Sequence, residues 1–486
     1  MTSLAKNNSS FKLKPMPTKT KIIATLGPAT DNEKILQAMI EAGSSLFRLN
    51  FSHGTYQEHQ TRIELIRKYE KRLGKNLAII QDLSGPKIRL GKLFSEPMEL
   101  KTGEVVKLFP GKKSPSQDLI PVNYPRLCQD LKKQDTLLLG DGDIELRVLE
   151  TNGEKVFCKV IVGGKVGSKK GINLPSERLS LSVLTPKDRK DLKFGIQAGV
   201  DFIALSFVRK PEEIVRVKKL LHREKVEIPV IAKIETPQAV KNIEQIIRVS
   251  DAIMVARGDL GVELPLPEIP IIQKRIIRLA NIYARPVITA TQMLRSMVES
   301  KRPTRAEVTD VANAIFDGTD ALMLSEETAI GRYPVETIKM MKKVALQAEK
   351  NWQSLALAVR QFPPAHSIPE AISASAVQMA GEMKAKAIIT PTRSGYTTRL
   401  ISRFRPGCPI LAITPRKETL KQLVLVWGAS PVLAEDLEES PRLLEYASQL
   451  AKRHLKLKKG DLVVITAGLP IEKPGITNLV KLEKIS

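Results

Sequence analysis

Short apolar runs alternate with longer stretches of helical periodicity through much of this chain. The runs predict strands at Lys21–Thr25, Leu46–Asn50, Leu77–Asp82, Phe202–Ser206, Val230–Ile234, Ala252–Ala256, Val287–Thr291 and Ala321–Ser325. Each is apolar almost throughout, the pattern of parallel strands covered on both faces. The intervening segments carry helix-entry chemistry. Asp31 is a candidate cap for a helix over Asn32–Glu41, and Thr236-Pro237 and Thr185-Pro186 open helices over Gln238–Arg248 and Lys187–Gln197. Gly43, Gly199 and Gly318 stand where helices should stop before the next strand. Such regular β and α alternation argues for an α/β fold with a parallel sheet, and eight repeats argue for closure into a (β/α)8 TIM barrel. An open doubly wound sheet is the competing architecture.

Two regions break the pattern. From about Arg89 to Leu184 the chain reads as short alternating strands, at Glu104–Phe109, Thr136–Leu139, Ile144–Glu150 and Lys155–Val162, punctuated by glycine turns. This predicts an inserted small all-β domain, a β-barrel lid over the catalytic end of the main barrel. After the linker Arg360-Gln361-Phe362-Pro363-Pro364 a C-terminal α/β domain is expected, with strands at Ala385–Thr390, Ile410–Thr414, Val424–Trp427 and Leu462–Thr466. The expected division is a disordered tail over 1–17, a barrel over 18–88 and 185–359, the insert over 89–184, and the last domain over 365–486.

Composition narrows the class without choosing a function. A length of 486 residues calls for two or three domains. No apolar run is long enough to span a membrane, and Met1–Pro17 is basic but lacks the apolar centre of a secretion signal. Three widely spaced cysteines, Cys128, Cys158 and Cys408, offer neither a disulfide framework nor metal-ligand spacing, which fits a cytoplasmic location. The net charge of +25 favours encounters with anions of any kind. No nucleic-acid-binding motif accompanies it, so no specific nucleic acid is expected as a partner.

The predicted strand ends are polar: Thr25, Arg48 with Asn50, Asp82, Ser206, Lys233 with Glu235, Thr291 and Ser325. A β/α barrel builds its active site from such ends. Lys233 and Glu235 lie two apart on one strand and so face one compartment. Burying both is costly unless they are paired or used. Asp259, just past the next strand, supplies a second carboxylate, and two carboxylates with substrate and water oxygens suit Mg²⁺. Gly258 allows close backbone approach to a ligand. Arg48, Asn50 and Ser52 alternate onto one face, where an arginine fork matches phosphate oxygens. His53 follows in a strand-to-helix loop, and Asp82 to Arg89 add an acid and two bases. Thr291 and Ser325 bring hydroxyls that serve either helix capping or proton relay. A divalent metal, phosphate-binding arginines, a lysine for developing negative charge and a lid together are the equipment of phosphoryl transfer.

Arg48-Leu-Asn-Phe-Ser-His53, Gly85-Pro86-x-Ile88-Arg89, Lys233-Ile-Glu235, Ala256-Arg-Gly-Asp259, Ala290-Thr-Gln-Met-Leu294 and Met323-Leu-Ser325 resemble the motifs of the pyruvate kinase family, in order, from about Thr18 onward. The resemblance implies glycolytic transfer of a phosphoryl group from phosphoenolpyruvate to ADP, giving pyruvate and ATP, with Mg²⁺ or Mn²⁺. It makes Glu235 and Asp259 the metal ligands and Lys233 the stabiliser of the enolate. It gives the substrate carboxylate to Gly258, Asp259 and Thr291, and the phosphoryl oxygens to Arg48 and Arg89. Asn50, Ser52, His53 and Lys170 fall along the nucleotide path, and a water near Thr291 and Ser325 delivers the proton to carbon. Family members are usually homotetramers.

One turn departs from the family pattern. Where Asp-Thr-Lys-Gly-Pro-Glu-Ile-Arg is usual, this chain has Asp82-Leu-Ser-Gly-Pro-Lys-Ile-Arg89. In potassium-requiring members a K⁺ lies near the equivalents of Asn50, Ser52 and Asp82. Leu83 removes a hydroxyl there and Lys87 replaces an acid, so the Lys87 ammonium is expected to stand in for K⁺ and the ion to be dispensable. Glu326 replaces a small residue, for which the sequence offers no reason. Thr392, Arg393, Ser394, Gly395 and Thr397 resemble the loop that binds an allosteric sugar phosphate, and a sugar-phosphate or nucleotide effector is expected there. The competing readings are another barrel enzyme of phosphoenolpyruvate, such as a carbon–carbon lyase, and a second, nucleic-acid-binding role.

Overall fold

Eight short strands close into one parallel barrel in the computed structural model, which describes residues 18–175, 181–352, 362–434, 443–468 and 476–486. The strands are Lys21–Leu26, Leu46–Asn50, Ala78–Asp82, Phe202–Leu205, Val230–Ile234, Ala252–Ala256, Val287–Ala290 and Ala321–Leu324. They pair in chain order, and the last closes on the first with Lys21 opposite Ala321. Successive side chains point to opposite faces. Ile23, Ile80, Ala204, Ile231, Met254 and Met323 therefore fill the interior, while Ile22, Leu49, Ile79 and Val230 lie in the outer cluster shared with the helices. Both sets are buried, which is why each strand reads as a continuous apolar run. Three strands stop one residue earlier than expected because the backbone turns: Phe207 and Thr291 take φ of 55° and 70°, and Ser325 has ψ of −99°.

Helix entries follow the local chemistry with two corrections. Asn32, not Asp31, caps the first long helix, Glu33–Ala42, through its side-chain oxygen. Asp31 is instead gripped by Arg62 at 2.6 and 2.7 Å. The helix expected over Gln238–Arg248 is broken at Asn242 into Pro237–Lys241 and Ile243–Val249. Asn242 gives its side-chain amide to the Arg209 carbonyl at 2.9 Å, fixing the break against the neighbouring loop.

Among the described residues the segment after Asp82 forms a six-stranded sheet and a separate two-stranded ribbon with its own apolar core. Its edge strands, Ile172–Asn173 and Leu119–Val122, are joined through Arg89, which bridges Gly171, and Leu90, which bridges Val122. The C-terminal unit has a five-stranded sheet ordered Ala429–Leu433, Ile410–Thr414, Ala387–Pro391, Leu462–Ala467 and Leu479–Lys484, the last antiparallel. Val424–Trp427, expected as a strand, is not one. Val424 and Leu425 join the barrel's interior cluster, and Trp427 donates its backbone N–H to Asp320 at 3.2 Å. The run is apolar because it closes the barrel's base. The expected tail over 1–17 and Arg360-Gln361 of the linker lie outside the described residues.

Candidate active site

At the opposite end, the carboxyl ends of the strands, the chain buries a compact group of charges. Lys233, 9% exposed, sends its Nζ to Ser206 Oγ at 2.7 Å, Glu235 Oε1 at 2.9 Å and Asp82 Oδ1 at 3.2 Å. Arg48 takes the other oxygen of Asp82 at 2.6 Å and reaches Thr25 Oγ1 at 3.2 Å. Glu235 Oε2 accepts the backbone N–H of Phe207 at 2.6 Å. Closure of the barrel makes this possible, since pairing sets Asn50 beside Asp82 and Ala204 beside Asp82 from its other flank.

The electrostatics follow from burial and neighbours. Burial alone would depress the Lys233 pKa, but Asp82 and Glu235 outweigh it and hold the ammonium above its ordinary value. Burial would likewise raise Asp82, yet Lys233 and Arg48 keep it below the usual carboxylate range. Glu235 goes the other way: burial, with the like charge of Asp259, raises it more than Lys233 offsets. Three carboxylates, Asp82, Glu235 and Asp259, thus interact with two cations, Arg48 and Lys233. Glu235 and Asp259 are the pair left short of positive charge, and hard oxygen donors of this kind fit Mg²⁺ or Mn²⁺. Among the described residues there is no group of three or more His, Cys, Asp or Glu arranged to hold a metal by themselves. A metal on this pair would complete its shell with substrate and water oxygens.

Thr291 lies at the rim of the group with φ of 70°, a strained conformation for a β-branched residue. Its hydroxyl accepts the Gly258 N–H at 2.8 Å and donates to the Ala290 carbonyl at 2.6 Å. Arg257, quoted within a motif but given no role by the sequence, holds this turn. It donates to the Thr291 carbonyl at 2.7 Å while Asp310 grips its Nη1 at 2.7 and 2.8 Å. Ser325 begins the helix Glu326–Ala329 without using its hydroxyl as a cap. Buried Glu327, also missed, accepts the backbone N–H groups of Ser325 at 2.8 Å and Leu294 at 3.1 Å, tying the two loops together. Glu326 has a plain account: it pairs with Arg295 at 2.9 Å on the surface.

The remaining expected residues spread outward. Asn50 accepts the Ser52 backbone N–H at 3.1 Å, and His53 is exposed beyond them. Partial desolvation and the positive charges of Arg89, Arg48 and Lys87 lower the His53 pKa. Arg89 donates to the Lys169 carbonyl at 3.2 Å, and Lys170 is exposed on the same stretch. Lys87 is exposed and makes no ion pair with Asp82, whose cationic partners are Arg48 and Lys233. Leu83 is fully buried in the outer core. The insert meets the barrel mouth where Asn173 reaches Glu263 at 3.5 Å, beside a small cavity bordered by Lys87 and Asp259. In the C-terminal unit Thr392 Oγ1 accepts the Gly395 N–H at 2.9 Å, Thr419 donates to the Arg393 carbonyl at 2.6 Å, and Thr397 bonds Thr477 at 2.7 Å.

Fold and site together define a (β/α)8-barrel enzyme with its charged chemistry at the strands' carboxyl ends. The family model for the pyruvate kinase barrel domain matches residues 17–338, and that for the pyruvate kinase alpha/beta domain matches 370–483. Pyruvate kinase 2 of Synechocystis sp. is 46% identical over 477 residues, covering 97% of this chain and 80% of that protein. The pyruvate kinase of Thermotoga maritima is 45% identical, covering 96% and 99%. A solved pyruvate kinase from Cryptosporidium parvum superposes with a TM-score of 0.89 at 36% identity, covering 96% of each chain. The chain belongs to the pyruvate kinase family, an enzyme family of glycolytic phosphotransferases.

Proposed function

We propose that this enzyme moves the phosphoryl group of phosphoenolpyruvate to ADP with a divalent metal and then protonates the resulting enolate at carbon. The observation that carries the reading is Lys233, a buried ammonium held by Ser206, Asp82 and Glu235. Its raised pKa keeps it charged throughout the working range. A fixed positive charge at such a site stabilises the enolate oxygen as the bond to phosphorus breaks. Glu235 and Asp259 would hold the metal, which when bound neutralises phosphoryl and carboxylate oxygens. Arg48, oriented by Asp82 and Thr25, and Arg89 grip the phosphoryl group. Asn50, Ser52, His53 and Lys170 line the ADP approach. Gly258, Asp259 and Thr291 position the carboxylate, and Thr291 and Ser325 orient the water that gives its proton to carbon.

A coupled assay for ADP-dependent pyruvate formation with Mg²⁺ tests this. Pyruvate release without ADP would point to a lyase and sink the proposal. We further propose that K⁺ is dispensable, supported by Leu83, which offers no side-chain oxygen, and by Lys87, whose charge reaches His53. Strict dependence on added K⁺ in tetramethylammonium buffer would refute it. Effector binding at Thr392–Thr397 and a cytoplasmic homotetramer complete the reading. Among the described residues no helix is long and apolar enough to cross a membrane.

A further inference from the structure

A second group of charges lies at the other end of the barrel, in the cleft where the C-terminal unit docks. The cavity has a volume of about 370 Å³ and is bordered by Lys218, Asp251, Arg285, Arg399 and the apolar Leu221 and Leu425. Its ions are unevenly matched. Lys218 is paired with Asp251 at 2.7 Å, and Glu227 at the edge with Arg416 at 2.6 Å. Arg285, from the barrel, donates to the Arg248 carbonyl at 3.1 Å, and Arg399, from the C-terminal helix Tyr396–Arg403, to the Ser394 carbonyl at 3.1 Å. Among the described residues neither arginine has a carboxylate partner within ion-pair distance.

Two guanidinium groups bordering one cleft, neither ion-paired to a carboxylate, repel each other and lose hydration together. Burial, then the like charge of Arg285, pull Arg399 down to about 10, with Asp251 offsetting only part. Both arginines also border a smaller neighbouring cavity lined by Asp320 and Arg403. Arginine forks match tetrahedral oxyanions, and a cavity of this volume with apolar walls has room for a small organic body beside one phosphoryl group.

We propose that this cleft binds a small phosphate monoester, its phosphoryl group held between Arg285 of the barrel and Arg399 of the C-terminal unit. The anion would replace repulsion with two charge-assisted contacts and so tighten the docking of the two units. Arg399 also holds the Ser394 carbonyl, which gives the bound anion a direct line to the Thr392–Thr397 turn.

Arginine modification tests the site on the full-length wild-type chain. Phenylglyoxal labelling is followed by peptide mass spectrometry, with and without inorganic phosphate, at ionic strength matched with chloride. Phosphate should slow labelling at both Arg285 and Arg399 at least fivefold and leave exposed Arg216 unchanged. Glycerol 3-phosphate should give the same protection at a concentration at least tenfold lower. Absence of protection at either arginine overturns the site, and equal potency of the two probes overturns the monoester assignment. Arg399→Met and Arg285→Gln, which remove the repulsion, should each fold and lose the phosphate protection at the remaining arginine. Protection retained in both variants would also overturn the proposal.

Discussion

Replacing Lys233 by Met removes the one cation shared by Asp82, Glu235 and Ser206 while keeping a side chain of similar length. The ammonium lies 2.7 to 3.2 Å from three oxygens and is almost wholly buried. A charge developing about 4 Å away at an effective dielectric of about 20 interacts with it by about 4 kcal/mol. That corresponds to roughly a thousandfold in rate, in line with the loss from deleting one preorganised donor at an oxyanion. Stability should fall as well, because two buried carboxylates lose their shared cation. The loss is limited because Asp82 keeps Arg48 and Glu235 keeps the Phe207 N–H. We therefore expect Lys233→Met to lose about two to three orders of magnitude in kcat. The KM for ADP should move little, and the melting temperature should fall at neutral pH, with part of the loss recovered as Glu235 takes up a proton at lower pH. Pyruvate formation followed by lactate dehydrogenase coupling, with a thermal melt of the same preparation, measures both. If the folded variant keeps more than about a tenth of wild-type kcat, Lys233 is structural and the mechanism above is wrong.

Glu235→Gln should stabilise the metal-free protein at neutral pH. A carboxyl whose folded pKa is raised favours folding below its unfolded pKa and loses that contribution as pH rises through the folded value. The advantage of the variant should therefore shrink toward pH 4, while the gain from Mg²⁺, about 2.7 kcal/mol at a hundredfold excess over Kd, should vanish in it. Asp82 has the opposite sign: its folded pKa is lowered, so its contribution is full above the unfolded value and disappears as pH falls through the folded one. Acid denaturation curves of wild type and Asp82→Asn should accordingly converge below about pH 4, and a constant gap would contradict the assignment. At Thr291, Ala keeps the left-handed backbone but loses the hydroxyl, whereas Gly relieves the strain. Thr291→Gly should melt higher than Thr291→Ala, by the equivalent of about 1 kcal/mol, with both slower in catalysis.

The barrel was legible because covered parallel strands have to be apolar on both faces, and eight such runs with charged or hydroxyl-bearing ends recur between helical segments. The same rule misled at Val424–Trp427. Burial there comes from closing the barrel's base, and a run of four apolar residues carries no mark of what covers it. Asp31 and Asn32 are both good caps, and only the position of Arg62 in the fold assigns one to the helix and the other to an ion pair. Arg257 and Glu327 were hidden for a different reason. They act on backbone groups far away in sequence, so their neighbours give no periodic or motif signal of what they hold. Lys87 shows the limit of position-by-position substitution, since its charge stands near the group without joining the pairs of Asp82.

The two ends of the barrel now differ in a way that composition conceals. At the strands' carboxyl ends, three carboxylates interact with two cations, an imbalance that a divalent metal would relieve. At the base, beneath the entry to the strands Ala252–Ala256 and Val287–Ala290, the acids are already paired and two arginines converge. Excess charge spread over a solvated surface is cheap and says little about ligands. A small imbalance inside a cleft is costly in either sign, and it is relieved only by pairing, by a shifted pKa or by a bound ion. Lys233 and Asp82 take the first route, Glu235 the second, and the pair Glu235 with Asp259 leaves room for the third. Arg399 stays charged and has no carboxylate within ion-pair distance among the described residues, so beside Arg285 only the third route, a bound anion, remains open to it.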